Sequence, residues 1–203
     1  MYTNPTKRYA LPDLQQKLEH FNAFYLIAHP LKLNIEPASA EQARQSIDEF
    51  VQSMPYAFRI SSQMSEIEAN ALRPFRSMGE KFDDLVEYLQ LQAKKMDLMM
   101  SYILQQQDNP EYRHTAIKFG GGGVVVAMNE AVKVGTFSTI KLFLENEAAA
   151  IFCIGEVVKC EKHEDVFAVS YAYSKIREED QELLVRASLH LQTSQLRKSH
   201  EAH

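Results

Sequence analysis

The chain reads as an α+β protein, a small antiparallel β-barrel with a long helix ahead of most of its strands and a second helix at its C-terminal end. Two observations carry that reading. Residues 75–103 hold an apolar residue at nearly every first and fourth place of a heptad, the pattern of a helix made to pack on another helix. After Pro110 the texture turns to short runs rich in Val, Ile, Phe and Thr, separated by Gly, Asn and Asp turn signals, as in a small antiparallel barrel.

The elements follow in order. Pro12 and Asp13 open a short helix over Asp13–His20. The stretch His29–Ile35 alternates apolar and polar residues through Leu31, Leu33 and Ile35, a half-buried strand closed by Pro37. Ser39 and Gln42 form a capping-box signature ahead of a helix with Ala43, Ile47, Phe50, Val51 and Met54 on one face, stopped by Pro55. Residues 56–66 fit neither period. The long helix begins near Ser65 or Pro74, with Pro74 either in its first turn or at a kink, and ends at Asp108, Asn109 and Pro110. At ~1.5 Å per residue it makes a rod of roughly 45–50 Å, too long for a small domain to cover. Strands are expected at Arg113–Phe119, Val124–Met128, Ser138–Leu144, Ala150–Cys160 and Val166–Tyr173. The last helix, about Glu178–Arg197, turns Leu183, Leu184, Ala187, Leu191 and Leu196 to one side.

Composition excludes several function classes. With 203 residues, 45% hydrophobic and 24% charged, the chain is ordinary globular material. A net charge of −5 argues against duplex nucleic acid, whose phosphates need a basic surface. The N-terminus lacks the apolar stretch of a signal peptide, and Ala148–Ile154 is far too short to span a membrane. A cytoplasmic protein is expected. Cys153 and Cys160, seven positions apart in one unbroken strand, would point to opposite faces, so no disulfide is expected. No CxxC pair, HExxH, nucleophile elbow or supported Ser/His/Asp order is present; His114 and His163 are isolated. Neither a metal, a cofactor nor an enzymatic activity is expected.

The heptad seam places Phe75, Phe82, Leu89, Met96 and Ile103 at one position and Met78, Leu85, Gln92 and Met99 at the other. Like-charged Glu80/Asp84 and Asp83/Glu87, together with Gly79, work against an isolated helix. Burial must therefore hold the rod together, against either the protein's own barrel or sister chains. Val86, Ala93 and Met100 flank the seam, while Leu91 and Leu98 lie well away from it. So broad an apolar surface suits more than two helices, or a helix touching both a neighbour and the barrel. Gln92 is the seam's one polar residue, a type that fixes register. Acidic Glu80, Asp83, Asp84 and Glu87 precede basic Lys94 and Lys95. That order fits an antiparallel partner crossing near Leu89, and it also fits simple matching to the helix dipole. The expectation is a homo-oligomer.

Gly120, Gly121, Gly122 and Gly123 form a run that leads into Val124-Val125-Val126. A P-loop or dinucleotide fingerprint would lead into a helix, so both fail. What remains is a turn or bulge between strands, where glycine permits positive φ and close backbone approach. The order strand, glycine turn, Val124–Met128, Val134-Gly135, Ile140–Leu144, Ile154–Lys159, Phe167–Tyr173 and an acidic terminal helix resembles the PilZ domain. PilZ domains are six-stranded antiparallel barrels that commonly bind the bacterial second messenger cyclic di-GMP. Their (Asp/Asn)-x-Ser-x-x-Gly motif falls on Lys118–Gly123, where Lys118 replaces the acid or amide, Gly120 replaces the serine, and Gly123 survives. Their Arg-x-x-x-Arg motif is missing: Arg8 is the one arginine before Leu31, and Arg73 and Arg76 are three apart in the helical segment. Paired arginines grip phosphates and guanine edges by charge, forked hydrogen bonds and stacking, so weak or absent cyclic di-GMP binding is implied.

The pattern looks most like the atypical PilZ subclass in which helices inserted after the first strand assemble four chains, which implies an N-terminal helical segment (1–28), a first barrel strand (29–37), a helical insertion (38–110) whose assembly helix spans about 74–107, and the rest of the barrel with its helix (111–198). That resemblance implies a tetrameric, non-enzymatic adaptor in bacterial cyclic di-GMP-related signalling, acting on an unidentified protein partner. The family's associations are motility, type IV pili, surface polysaccharide and virulence. The alternative is a divergent nucleotide site, with Arg113 and Lys118 beside the amides of Gly120–Gly123.

Overall fold

The structure, a computed structural model, describes residues 14–72 and 83–201. Seam residues Phe75, Met78 and Phe82, with Arg73, Pro74 and Arg76, lie outside the described residues. Six strands close into one antiparallel barrel: β1 (Ile27–Pro37), β2 (Arg113–Phe119), β3 (Gly123–Met128), β4 (Phe137–Leu144), β5 (Ala149–His163) and β6 (Val166–Lys175). Their order around the barrel is β1-β2-β3-β6-β5-β4, so β1 pairs with both β2 and β4 and no strand is left at an edge. Every expected strand is present, and each observed strand after β1 begins within a residue of its expected start.

Leu31, Leu33 and Ile35 point into the barrel with Ile27, as the period-two pattern requires. Pro30 falls in the register shift between Ala28 and Leu31, where its missing N–H costs no ladder bond. The interior is filled by these residues with Phe119, Val124, Val126, Ile140, Leu142, Ile151 and Tyr171, and Leu184 and Ala187 of the last helix, α6 (Glu178–Glu201), join them.

β5 is buried on both sides. Its odd-numbered Ile151 and Cys153 enter the barrel, while Ala150, Phe152 and Ile154 lie beneath the inserted helices. That double burial explains the unbroken apolar run in the sequence. The expectation that Cys153 and Cys160 face opposite ways is corrected here. A register shift between Val157 and Lys159 inserts one extra residue, so Cys160 rejoins the barrel-facing side. Both thiols are free.

The insertion holds α2 (Ala40–Arg44), α3 (Ile47–Ser53), α4 (Tyr56–Leu72) and α5 (Asp83–Gln105). The single helix expected after Ser39 is two. Ser39 and Gln42 do form the capping box, but Ser46 and Glu49 form a second one, and the backbone is extended at Gln45 and Ser46. Reciprocal side-chain bonds satisfy the orphan amides of a new helix start, so the chain restarts there. Ala43, Phe50 and Met54 are buried as expected, whereas Ile47 is exposed. Residues 56–66, ambiguous in sequence, are α4. Phe50 and Phe58 of α3 and α4 pack on Phe152, each with ring centroids 5.7 Å away. Met100 and Leu104 of α5 complete this second cluster.

α1 (Leu14–Ala23) lies on the outer face of β5 and β6, where Phe21 meets Val158 and Ala172. Lys17 forms an ion pair with Glu156, both side chains nearly buried.

Candidate functional site

Three of α5's sides carry apolar residues, and one of them belongs to its own chain. Met100 and Leu104 are buried against the barrel-side cluster. The seam positions stand elsewhere: Leu85, Met96, Met99 and Ile103 are 44%, 54%, 60% and 43% exposed, and Leu89 and Gln92 are half-buried. Among the described residues, nothing buries Leu85, Met96, Met99 or Ile103. Tyr88, Leu91, Leu98 and Tyr102 are also exposed, Tyr88 beside that seam and the other three well round the helix from it. A monomer that leaves so many large apolar side chains on one rod has a surface that calls for a partner.

The far end of α5 is pinned to the barrel by a polar hub. Asn34, fully buried in β1, donates to Asp108 Oδ1 at 2.9 Å and to the Asn109 carbonyl at 3.1 Å. Its Oδ1 accepts the Asn109 amide at 2.8 Å. Arg113 forks onto Asp108, with Nε 3.0 Å and Nη2 2.8 Å from Oδ2. Burial alone would raise the Asp108 carboxyl, but hydrogen bonds from Arg113 and Asn34 and the charges of Arg113 and Lys32 outweigh it and hold the pKa below the usual carboxylate range. Asn34 reads in sequence as a polar residue on a strand, with nothing to mark it as an anchor. Only its distant partners, Asp108 and Asn109, reveal that role.

The glycine run is covered rather than open. All four glycines are buried, and none has a positive φ; that belongs to Gly135 in the following turn. Space is what glycine supplies here. A methyl group on Gly120 would strike the Tyr25 carbonyl, one on Gly123 the Tyr171 carbonyl, and one on Gly121 would lie 2.6 Å from Val185. Phe21 and Phe24 from the α1–β1 corner lie over Gly121–Gly123, and Gln181 of α6 donates to the Gly121 carbonyl at 2.8 Å.

The structure does not bring the possible nucleotide contacts together. Arg113 and Lys118 stand toward opposite ends of β2, roughly 17 Å apart at ~3.3 Å per residue. Arg113 is engaged by Asp108, and the glycine amides lie beneath aromatic side chains. Among the described residues, no group of three His, Cys, Asp or Glu side chains is placed to hold a metal ion. No described helix is long and apolar enough to cross a membrane.

No family model and no curated protein matches the sequence. Solved structures do match the fold. A pathogenic protein from Xanthomonas campestris, a tetrameric PilZ domain self-assembled via a helical bundle, aligns with 88% of this chain and 96% of its own at a TM-score of 0.53 and 12% identity. An inhibitor of motility from Bacillus subtilis overlaps 40% of this chain and 42% of its own, with a TM-score of 0.38 and 18% identity. The closed barrel, the helices inserted after its first strand and the terminal helix together make this a PilZ-type fold.

Proposed function

We propose that the chain is a non-enzymatic, homo-oligomeric adaptor of the PilZ class, in which the insertion (38–110) joins four copies and the barrel recruits a protein partner. The observation that carries this reading is the exposed seam of α5, whose Leu85, Met96, Met99 and Ile103 find no cover among the described residues. Phe75, Met78, Leu89 and Gln92 belong to the same heptad register, as does Phe82. The tetrameric helical bundle of the Xanthomonas protein supports it, since that protein shares the fold and nearly the whole length. The setting is cytoplasmic bacterial signalling related to cyclic di-GMP. The chain is not itself a strong nucleotide binder, a reading supported by the missing arginine pair and by the aromatic cover over Gly121–Gly123.

Light scattering of the purified protein tests the assembly. A mass near four copies of the 23.3 kDa chain is expected. Leu89→Lys places a charge in the seam and should dissociate the assembly into smaller particles. A monomeric wild-type protein would overturn the proposal.

A further inference from the structure

Among the described residues, a cleft of about 670 Å³ runs between α1 and the α2–α3 junction, with the outer face of β5 and β6 as its floor. Its volume suits a small organic molecule, and no residue of the glycine turn or of α5 lines it. Three elements each send a cation to it: Lys17 from α1, Arg44 from the end of α2 and Lys175 from the end of β6. Alternation alone would turn Lys175 into the barrel with Tyr171 and Tyr173. A register shift between Ile154 and Gly155 instead sets it opposite the outward-facing Ile154. The one carboxylate in the lining, Glu156, is already paired with Lys17, their side chains 7% and 11% exposed. Arg44 and Lys175 are therefore left as two cations on one concavity, neither with an ion-pair partner among the described residues. A cleft lined by one sign of charge concentrates the opposite sign. Ala43, Ile47 and Ala172 supply apolar lining, and Ile47 is the residue left 45% exposed at the start of α3.

We infer that this cleft binds a small organic anion, a carboxylate or phosphate monoester carrying an apolar body about the size of one ring. The acidic group is held by Arg44 and Lys175, and the body rests on Ala43, Ile47 and Ala172. Arginine offers an oxyanion two parallel donors and lysine a compact point charge, so the pair suits either acid. The Lys17–Glu156 pair serves the same end in two ways. It ties α1 to the floor of the cleft, so that one wall is in place before a ligand arrives. It also cancels the one negative charge that would repel an anion. Arg44 belongs to the inserted helices and Lys175 to the barrel, so the bound anion joins the two parts of a single chain. The site lies within one chain, and its occupation does not depend on assembly.

Nuclear magnetic resonance of the full chain, labelled at the isoleucine δ1 methyl groups, tests the inference with phenyl phosphate, benzoate, inorganic phosphate and benzyl alcohol as probes. The Ile47 methyl signal is expected to shift saturably with at least one of the two aromatic anions, with a Kd below about 1 mM, while Ile117 on β2 stays in place. The tighter of the two assigns the acidic group as phosphate or carboxylate. Inorganic phosphate lacks the apolar body and benzyl alcohol lacks the charge, so each should bind the cleft about tenfold more weakly or worse. Arg44→Gln and Lys175→Gln should each weaken the better anion about tenfold. No shift at Ile47 with either aromatic anion up to about 10 mM would overturn the inference. So would benzyl alcohol binding as tightly as the anions, inorganic phosphate binding as tightly as both (an adventitious ion only), or an unchanged affinity in either variant. The wild-type titrations decide the matter even where a variant fails to fold.

Discussion

A methyl group added at Gly123 would meet the carbonyl oxygen of Tyr171 on the neighbouring strand and the ring of Phe21. Neither obstacle moves cheaply, because one is sheet backbone and the other is a buried side chain of α1. Gly123→Ala is therefore expected to cost about 3 kcal/mol, the upper end for overpacking; chemical denaturation gives the value, and a loss below ~1 kcal/mol would show that the contact is slack. The same residues explain why the glycines read so much like a ligand-binding turn. A close approach of backbone to something is what such a run provides, and sequence alone does not say whether that something is a phosphate or a phenyl ring. Here it is Phe21, Phe24 and the Tyr25 carbonyl.

At the scale of elements, the long helix is tied down at its C-terminal end by Asn34, Asp108 and Arg113, and buried along one side by Met100 and Leu104. The hub has a pH signature. The folded-state pKa of Asp108 lies below its ordinary value near 3.9, so the contribution to stability is complete above that range and is lost as pH falls through the lower folded value. Asp108→Asn should thus cost about 1–2 kcal/mol near neutral pH, and the gap between variant and wild type should close as pH drops below roughly 4. Thermal melts across that range would check it; a gap independent of pH would mean that the carboxylate charge is idle. Strand and helix positions were largely legible beforehand because period two and period 3.6 are written locally. The α2–α3 break was legible as well, in Ser46-Ile47-Asp48-Glu49, but a continuous apolar face across it concealed the second cap.

For the whole molecule, the question is what the barrel still recognises. With Arg113 held by Asp108 and the glycine turn roofed by α1, α6 and the corner between α1 and β1, cyclic di-GMP meets no cluster of cations there. Titration calorimetry should show no binding tighter than about 10 µM. A tighter site would mean that the divergent nucleotide-binding alternative is correct and that the roof lifts. The proposed recruitment of a protein partner would then share the barrel with a ligand.

By itself the sequence determined the strands, the barrel class, the main heptad seam and the loss of both nucleotide motifs, because each is carried by residue type at fixed local spacing. Tertiary structure alone decided what covers what. Phe21 and Phe24 come to rest on glycines about a hundred positions away, Asn34 reaches the end of α5, and a bulge at Val158 turns Cys160 inward. It also decided that, among the described residues, α5 buries its Met100 and Leu104 side and leaves Leu85, Met96, Met99 and Ile103 exposed. Periodicity states that a face is apolar; which surface satisfies it depends on packing between segments far apart in the chain, and no local pattern encodes that distance.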